Sequence, residues 1–115
     1  MIKRTGHYEV LHEVVEHNGI LHFAGIVTEN KALDMEGQTR SVFQQLEQLL
    51  AAHGSSKERV LTALVFITDM RNKPAMNKVW KEWFGSEHMP TRATVGVSDL
   101  EKDILIEVVF TAAKA

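Results

Sequence analysis

Arg92 and Glu107 are the residues whose type and setting point most directly to chemistry. Arg92 opens the run Arg92-Ala93-Thr94-Val95-Gly96-Val97, and Glu107 is the one charge in Ile104-Leu105-Ile106-Glu107-Val108-Val109-Phe110. A lone carboxylate in an apolar strand is costly unless it is paired. Alternation puts Arg92, Thr94 and Gly96 on one face of their strand, and Leu105, Glu107, Val109 and Thr111 on one face of theirs. If the two strands form a hairpin with Val97 opposite Ile104, then Thr94 faces Glu107 and Arg92 faces Val109. Arg92 and Glu107 are then diagonal neighbours, roughly 7–8 Å apart at Cα. A slip of one residue sends them to opposite faces. Two readings are open. In one, the pair is a cross-strand ion pair at an edge or interface. In the other, Arg92 grips a ligand carboxylate in bidentate fashion while Glu107 handles a proton or a water.

Other candidates are weaker. His7, His12, His17 and His22 recur every five residues, which suggests a metal. Five residues alternate faces on a strand and rotate by about 140° on a helix, so the spacing argues against a shared site. His12 or His22 can lie near a pocket, whereas His53 and His88 read as helix-end or loop residues. Trp80, Trp83 and Phe84 read as core or subunit packing, with an aromatic platform for a ligand as the minority reading. By spacing alone Asn77 is a solvated helix residue. No glycine-rich phosphate loop and no nucleophile elbow occur. With no cysteine in the chain, disulfides, thiolate zinc sites and cysteine nucleophiles are excluded.

These residues need elements to position them. Tyr8–His17 and Ile20–Val27 read as two strands joined at Asn18-Gly19, the strongest short hairpin signal because both residues tolerate positive φ. A helix follows from Asp34 as N-cap, with Met35, Val42, Phe43, Leu46, Leu49, Leu50 and His53 on one face and Gly54 just past its end. Val60–Met70 is nearly continuous in apolar character. It reads as a central strand covered on both faces. A second helix is expected over Lys73–Phe84, capped by Asn72, with Pro74 in its first turn and Met76, Val79, Trp80, Trp83 and Phe84 as its buried stripe. Arg92–Val97 and Ile104–Ala112 are the last strands. The expected fold is α+β: a two-layer sandwich of a mostly antiparallel mixed sheet with two helices on one face. Apolar residues fall on both faces of several strands, so the second face is expected to be covered by other subunits.

Residues 1–115 are expected to form a single domain, since 115 residues suffice for one core without staples. Thirteen Lys and Arg stand against 15 Asp and Glu, and no cationic cluster exceeds Lys3-Arg4. Nucleic-acid binding requires grouped cations, so no nucleic-acid partner is expected. No apolar run is long enough to span a membrane. Met1-Ile2-Lys3-Arg4-Thr5 has no signal-like apolar segment, and with the lack of cysteine this makes a cytoplasmic location the expectation.

Pro90-Thr91-Arg92-Ala93-Thr94-Val95-Gly96-Val97, then Leu100, then Leu105-Ile106-Glu107-Val108, resembles the C-terminal signature of the Rid family, the YjgF-like reactive intermediate deaminases. The likeness extends through Phe66–Met70, Met76-Asn77-Lys78-Val79-Trp80, Phe84 and Gly19–Gly25, nearly the whole chain. His17-Asn18 and Ala75-Met76-Asn77-Lys78 resemble the YoaB-like branch. The resemblance implies a homotrimer of chorismate-mutase-like α+β subunits with a cleft between each adjacent pair. It further implies hydrolysis of 2-enamino or 2-imino acids to 2-keto acids and ammonia, with no cofactor and no metal. By the same resemblance, Arg92 binds the substrate carboxylate and Glu107 positions or activates the attacking water. Thr94 and Asn77 line the cleft, and the backbone of Gly25 approaches the ligand.

The chain departs from the family pattern in places. Ala24 stands where a serine is common, Ile26 where a glutamine is common, and Leu11 where a tyrosine often lines the cleft. The Phe84-to-Pro90 loop is short by about two residues against that pattern. These changes remove hydroxyl groups and leave the Arg92–Glu107 clamp intact. The rival expectation is a non-catalytic trimer that binds or senses 2-keto acids or other small carboxylates through the same cleft. An RNA-acting role, a third reading, is disfavoured by the charge balance.

Overall fold

The computed structural model describes residues 1–115. Seven strands and two helices follow in order: β1 (Lys3–His7), β2 (His12–His17), β3 (Ile20–Phe23), β4 (Ile26–Val27), α1 (Met35–Ala52), β5 (Val60–Ile67), α2 (Lys73–Phe84), β6 (Thr91–Gly96) and β7 (Ile106–Ala113). The strands form one sheet in the order β1-β2-β3-β7-β5-β6, and β4 also pairs with β7. All pairs are antiparallel except β5 with β6, which is parallel. The two helices pack on one sheet face, as the sequence pattern requires.

The β2–β3 hairpin forms at Asn18 and Gly19, whose φ values of 51° and 76° suit the tight turn. The first strand of the expected hairpin is shorter than its composition suggests. Residues 8–11 make a turn closed by the Tyr8 N–H donating to the Leu11 carbonyl at 2.8 Å, and β2 begins at His12. β1 then adds an edge strand that the pattern hides, because Lys3-Arg4-Thr5-Gly6-His7 is exposed along its whole length and carries no apolar face. The second run, Ile20–Val27, breaks at Ala24-Gly25. Along β7, four steps from His22 to Ile26 face only three from Thr111 to Val108, so one extra residue bulges out there.

α1 starts as expected: the Asp34 carboxylate accepts from the Gly37 N–H at 2.8 Å. Its apolar stripe, Met35, Val42, Phe43, Leu46 and Leu50, is buried. At α2 the cap differs from expectation. Asn72 stands at the N-cap position without a side-chain hydrogen bond, because a short 3-10 turn (Met70–Asn72) runs straight into the helix. The cap function falls to Asp69, whose side chain accepts from the Arg71 N–H. Met76, Val79, Trp80 and Phe84 are buried. Phe43 is the hub of the interface, stacking on Trp83 at 4.6 Å and meeting Trp80 and Phe84 edge-on.

One expectation about the sheet is corrected. β6 and β7 do not form a hairpin, because β5 lies between them, parallel to β6 and antiparallel to β7. The polar Ser98–Asp103 segment is short enough for a hairpin but instead carries the chain past the end of β5. The most continuously apolar strand takes the middle, and α2 makes the crossover that a parallel neighbour needs. Within the chain, central β5 is covered on one face. Val60, Ala63, Val65 and Ile67 are buried under the helices, whereas Leu61 and Leu64 stay about 40% exposed on the far face. Val95, on β6, lies beside Phe66 on that uncovered face.

One buried polar side chain ties α1 to the start of β7. Gln38 is fully buried, and its amide donates to the carbonyls of Leu33 (3.1 Å) and Asp103 (2.9 Å). Its side-chain oxygen accepts from the Leu105 N–H at 2.9 Å. Replacing it by the near-isosteric Leu strands three backbone groups. Gln38→Leu is expected to cost about 3 kcal/mol, read as a lower urea midpoint at unchanged m-value.

Candidate active site

Arg92 lies on β6 opposite Ala63, which in turn faces Phe110. Ala63 and Phe110 are buried beneath the helices, so Arg92 extends toward α2. There its Nη1 donates to Asn77 Oδ1 at 2.8 Å, and its guanidinium sits over the Trp80 ring, 4.8 Å from the centroid. Asn77 and Trp80 are three residues apart on α2 and so share a face. Partial burial pushes the Arg92 guanidinium below its ordinary value. It stays charged at neutral pH all the same, since arginine has several units to spare. No carboxylate pairs with it, and its Nε and Nη2 have no side-chain partner. The guanidinium opens on a groove of about 300 Å³ lined by Asn77, Trp80, Lys81, Met89, Pro90 and Arg92. Thr94, two residues on, is partly exposed on the same strand face.

Glu107 is elsewhere. On β7 it pairs with Phe66 of β5 and with Val27 of β4. Its neighbours Ile106 and Val108 are buried under the helices, so Glu107 points to the opposite, uncovered face. Its side chain makes no ion pair within the chain. What it touches is Gly25. A Cβ added at residue 25 would come within 2.0 Å of Glu107 Oε2 and 3.0 Å of its Cδ. The bulge at Ala24-Gly25 therefore makes room for the carboxylate. A second depression of about 210 Å³ lies at this break next to α1, where Gln45 and Leu49 join Tyr8, Leu11, Glu13, Ala24 and Gly25 in its lining; Glu107 is not part of that lining.

The diagonal juxtaposition of Arg92 and Glu107 is thus overturned within one chain, and with it the cross-strand ion pair. The register that would align them belongs to a β6–β7 hairpin that does not exist. Instead there are two half-sites on opposite sheet faces: Arg92, Asn77 and Thr94 toward α2, and Glu107 against Gly25 toward the other side, while Leu11 and Ala24 line a depression that reaches α1 at the sheet break. Sequence reasoning missed Lys81, Met89 and Pro90 in the groove over Arg92, and Tyr8 and Glu13 in the depression at the sheet break. It also treated Trp80 as core or platform alone. Trp80 is core, packed on Phe43, Phe84 and Phe110, and it also seats Arg92. The three-residue spacing from Asn77 is the signal that pairs the two. Of the histidines, His7 and His12 face each other across β1 and β2 with ring centroids 5.0 Å apart. No three His, Asp or Glu side chains converge on a common metal position.

Fold and half-sites together define a small α+β protein with a partly buried arginine that has no acidic partner on one sheet face and a lone acid on the other. Residues 2–114 match the family described as Endoribonuclease L-PSP. The chain belongs to that family, whose members also carry the names RutC, YjgF and Rid. It is 35% identical over 101 residues to the RutC family protein YoaB of Escherichia coli, covering 88% of each chain. A YjgF-family crystal structure from Neisseria meningitidis matches with a TM-score of 0.94 at 32% identity, covering 100% of this chain and 96% of that one. The Rid-family protein YyfA of Yersinia pestis matches with a TM-score of 0.86 at 28% identity, over 93% and 90% of the two chains.

Gly25→Ala tests the contact that sets Glu107. The added methyl meets the far end of a flexible side chain, so the fold is expected to survive with little change in Tm. A crystal structure of the variant is expected to show Glu107 in a different rotamer. An unmoved carboxylate would refute the role given to this glycine.

Proposed function

We propose that the protein is a hydrolytic deaminase that converts reactive 2-enamino and 2-imino acids to 2-keto acids and ammonia, in clefts between the subunits of a homotrimer. The observation that carries this reading is Arg92, a half-buried guanidinium with no anionic partner, held by Asn77 and Trp80 with a free donor edge. Membership of the Rid family supplies the reaction class. The uncovered, partly apolar sheet face with Leu64, Phe66 and Val95 supports assembly. Because Arg92 and Glu107 lie on opposite faces of one chain, a cleft containing both draws Arg92 from one subunit and Glu107 from its neighbour.

In that cleft the Nε–Nη2 edge of Arg92 grips the carboxylate beside C2. An enamine first gains a proton at its β-carbon and becomes the protonated imine. The protonated imine carbon is already electrophilic, so orientation and a placed water are the main requirements. Glu107 accepts a proton from that water as its oxygen bonds to C2, giving a carbinolamine. Glu107 passes that proton to the nitrogen, the C–N bond breaks as the carbinolamine hydroxyl gives its own proton back to the Glu107 carboxylate, and ammonia leaves as the C=O forms. Thr94, Asn77, Leu11, Ala24 and the Gly25 backbone shape the walls. Ala24 and Leu11 make those walls more apolar than the common family pattern.

An amino-acid oxidase that generates imino acids in situ, or a dehydratase that supplies the enamine, provides the assay. Wild type is expected to speed keto-acid formation above the spontaneous rate, and Arg92→Ala to abolish that gain. Glu107→Gln is expected to keep 2-keto acid binding and lose about 10²–10⁴-fold in rate. Binding with no turnover of any substrate would make the protein a carboxylate sensor instead. A co-refolded equal mixture of Arg92→Ala and Glu107→Gln chains is expected to regain roughly a quarter of wild-type activity, since each mixed cyclic trimer rebuilds one intact cleft. No recovery, with native mass spectrometry confirming mixed trimers, would refute the shared cleft.

A further inference from the structure

The groove over Arg92 contains a second cation. Lys81 lines it with Asn77, Trp80, Met89 and Pro90, and no carboxylate is among the lining residues. Lys81 takes part in no ion pair and no side-chain hydrogen bond. Of the nearby helix cations, Lys78 donates to Glu36 and Arg40 bridges Glu36 and Glu82, and Lys73 at the start of α2 lies outside the groove lining. On α2, Lys81 is four residues after Asn77, so it stands one turn, about 6 Å, further along the same helix face. Asn77 holds Arg92. The Lys81 ammonium, on its flexible stem, is therefore free to meet a group bound to Arg92 from the side. One cation suffices for a monocarboxylate. Two cations without an acid between them repel each other in the empty groove and raise the local potential for a ligand with two negative charges. In the assembled cleft Glu107 opposes any anion on the far side, which leaves the Lys81 side as the favourable place for a second charge.

We infer that Lys81 is a specificity-determining residue that receives the distal carboxylate of dicarboxylic 2-imino acids, while Arg92 holds the carboxylate beside C2. The inference rests on the proposed deaminase reading of the same cleft, and it concerns which substrates that cleft prefers. Lys81 does not touch the reacting atoms. Its effect falls on KM, leaving kcat unchanged.

The test uses the stable products as probes. Calorimetric titration compares 2-oxoglutarate with 2-oxopentanoate, which share a chain length and differ in the distal carboxylate. Wild type is expected to bind the dicarboxylate about five-fold more tightly at low salt, with the margin shrinking as salt rises. Lys81→Gln is expected to lose the margin with the monocarboxylate unaffected, and Lys81→Arg to keep it. Imines generated by oxidation of glutamate and norvaline are expected to show the same split in KM. Equal affinities in wild type would overturn the inference, as would a Lys81→Gln variant that weakens both ligands alike. A dicarboxylate preference lost in Lys81→Gln but accompanied by no turnover of any imine would uphold the role of Lys81 in binding and refute the deaminase reading. Turnover of monocarboxylic imines without that preference would do the reverse.

Discussion

The placement of β5 between β6 and β7 is the constraint on which the rest of the molecule depends. It forces the β5–β6 pair to be parallel, which in turn needs α2 as a crossover. That crossover brings Asn77 and Trp80 over the sheet edge where Arg92 emerges. The same placement makes Arg92 and Glu107 three positions out of step across the sheet, hence on opposite faces. A folded chain thus presents a cation and an acid that cannot neutralise one another. Both remain available to something outside the chain.

Keeping Arg92 charged and half-buried without a counter-ion has a cost, visible in the lowering of its guanidinium by desolvation. Three features offset it: the hydrogen bond to Asn77, the Trp80 face, and the groove left open to water. A cation over an aromatic face gains about 0.5–2 kcal/mol according to its exposure. The arrangement fixes the plane of the guanidinium before any ligand arrives, so little rotamer freedom remains to be lost on binding.

Most elements were legible in the sequence. Asn18-Gly19, the Asp34 cap and the two helical stripes each have a local physical signal, and each forms where that signal lies. β1 was not legible because an exposed edge strand needs no apolar face. The β6–β7 relationship was not legible because a six-residue polar connection suits a hairpin as well as a passage around a strand end, and only the competition for the centre of the sheet decides between them. Residue types at the candidate site were legible. Their separation onto two faces was not, since it follows from strand order, which alternation alone does not encode. Gln38 was likewise silent: a glutamine on a helix reads as solvated until the loop it anchors is known.

Trp80 belongs both to the core and to the seat of Arg92. Its ring packs on Phe43, Phe84 and Phe110 on one side and carries the guanidinium on the other. Fold stability and ligand affinity therefore share a side chain and cannot evolve independently at this position. A drift in the volume of Phe43 or Phe110 tilts the indole, and with it the plane in which a carboxylate is received. Adaptation to a new ligand or a new temperature in this lineage has a route through apolar residues that never touch the ligand.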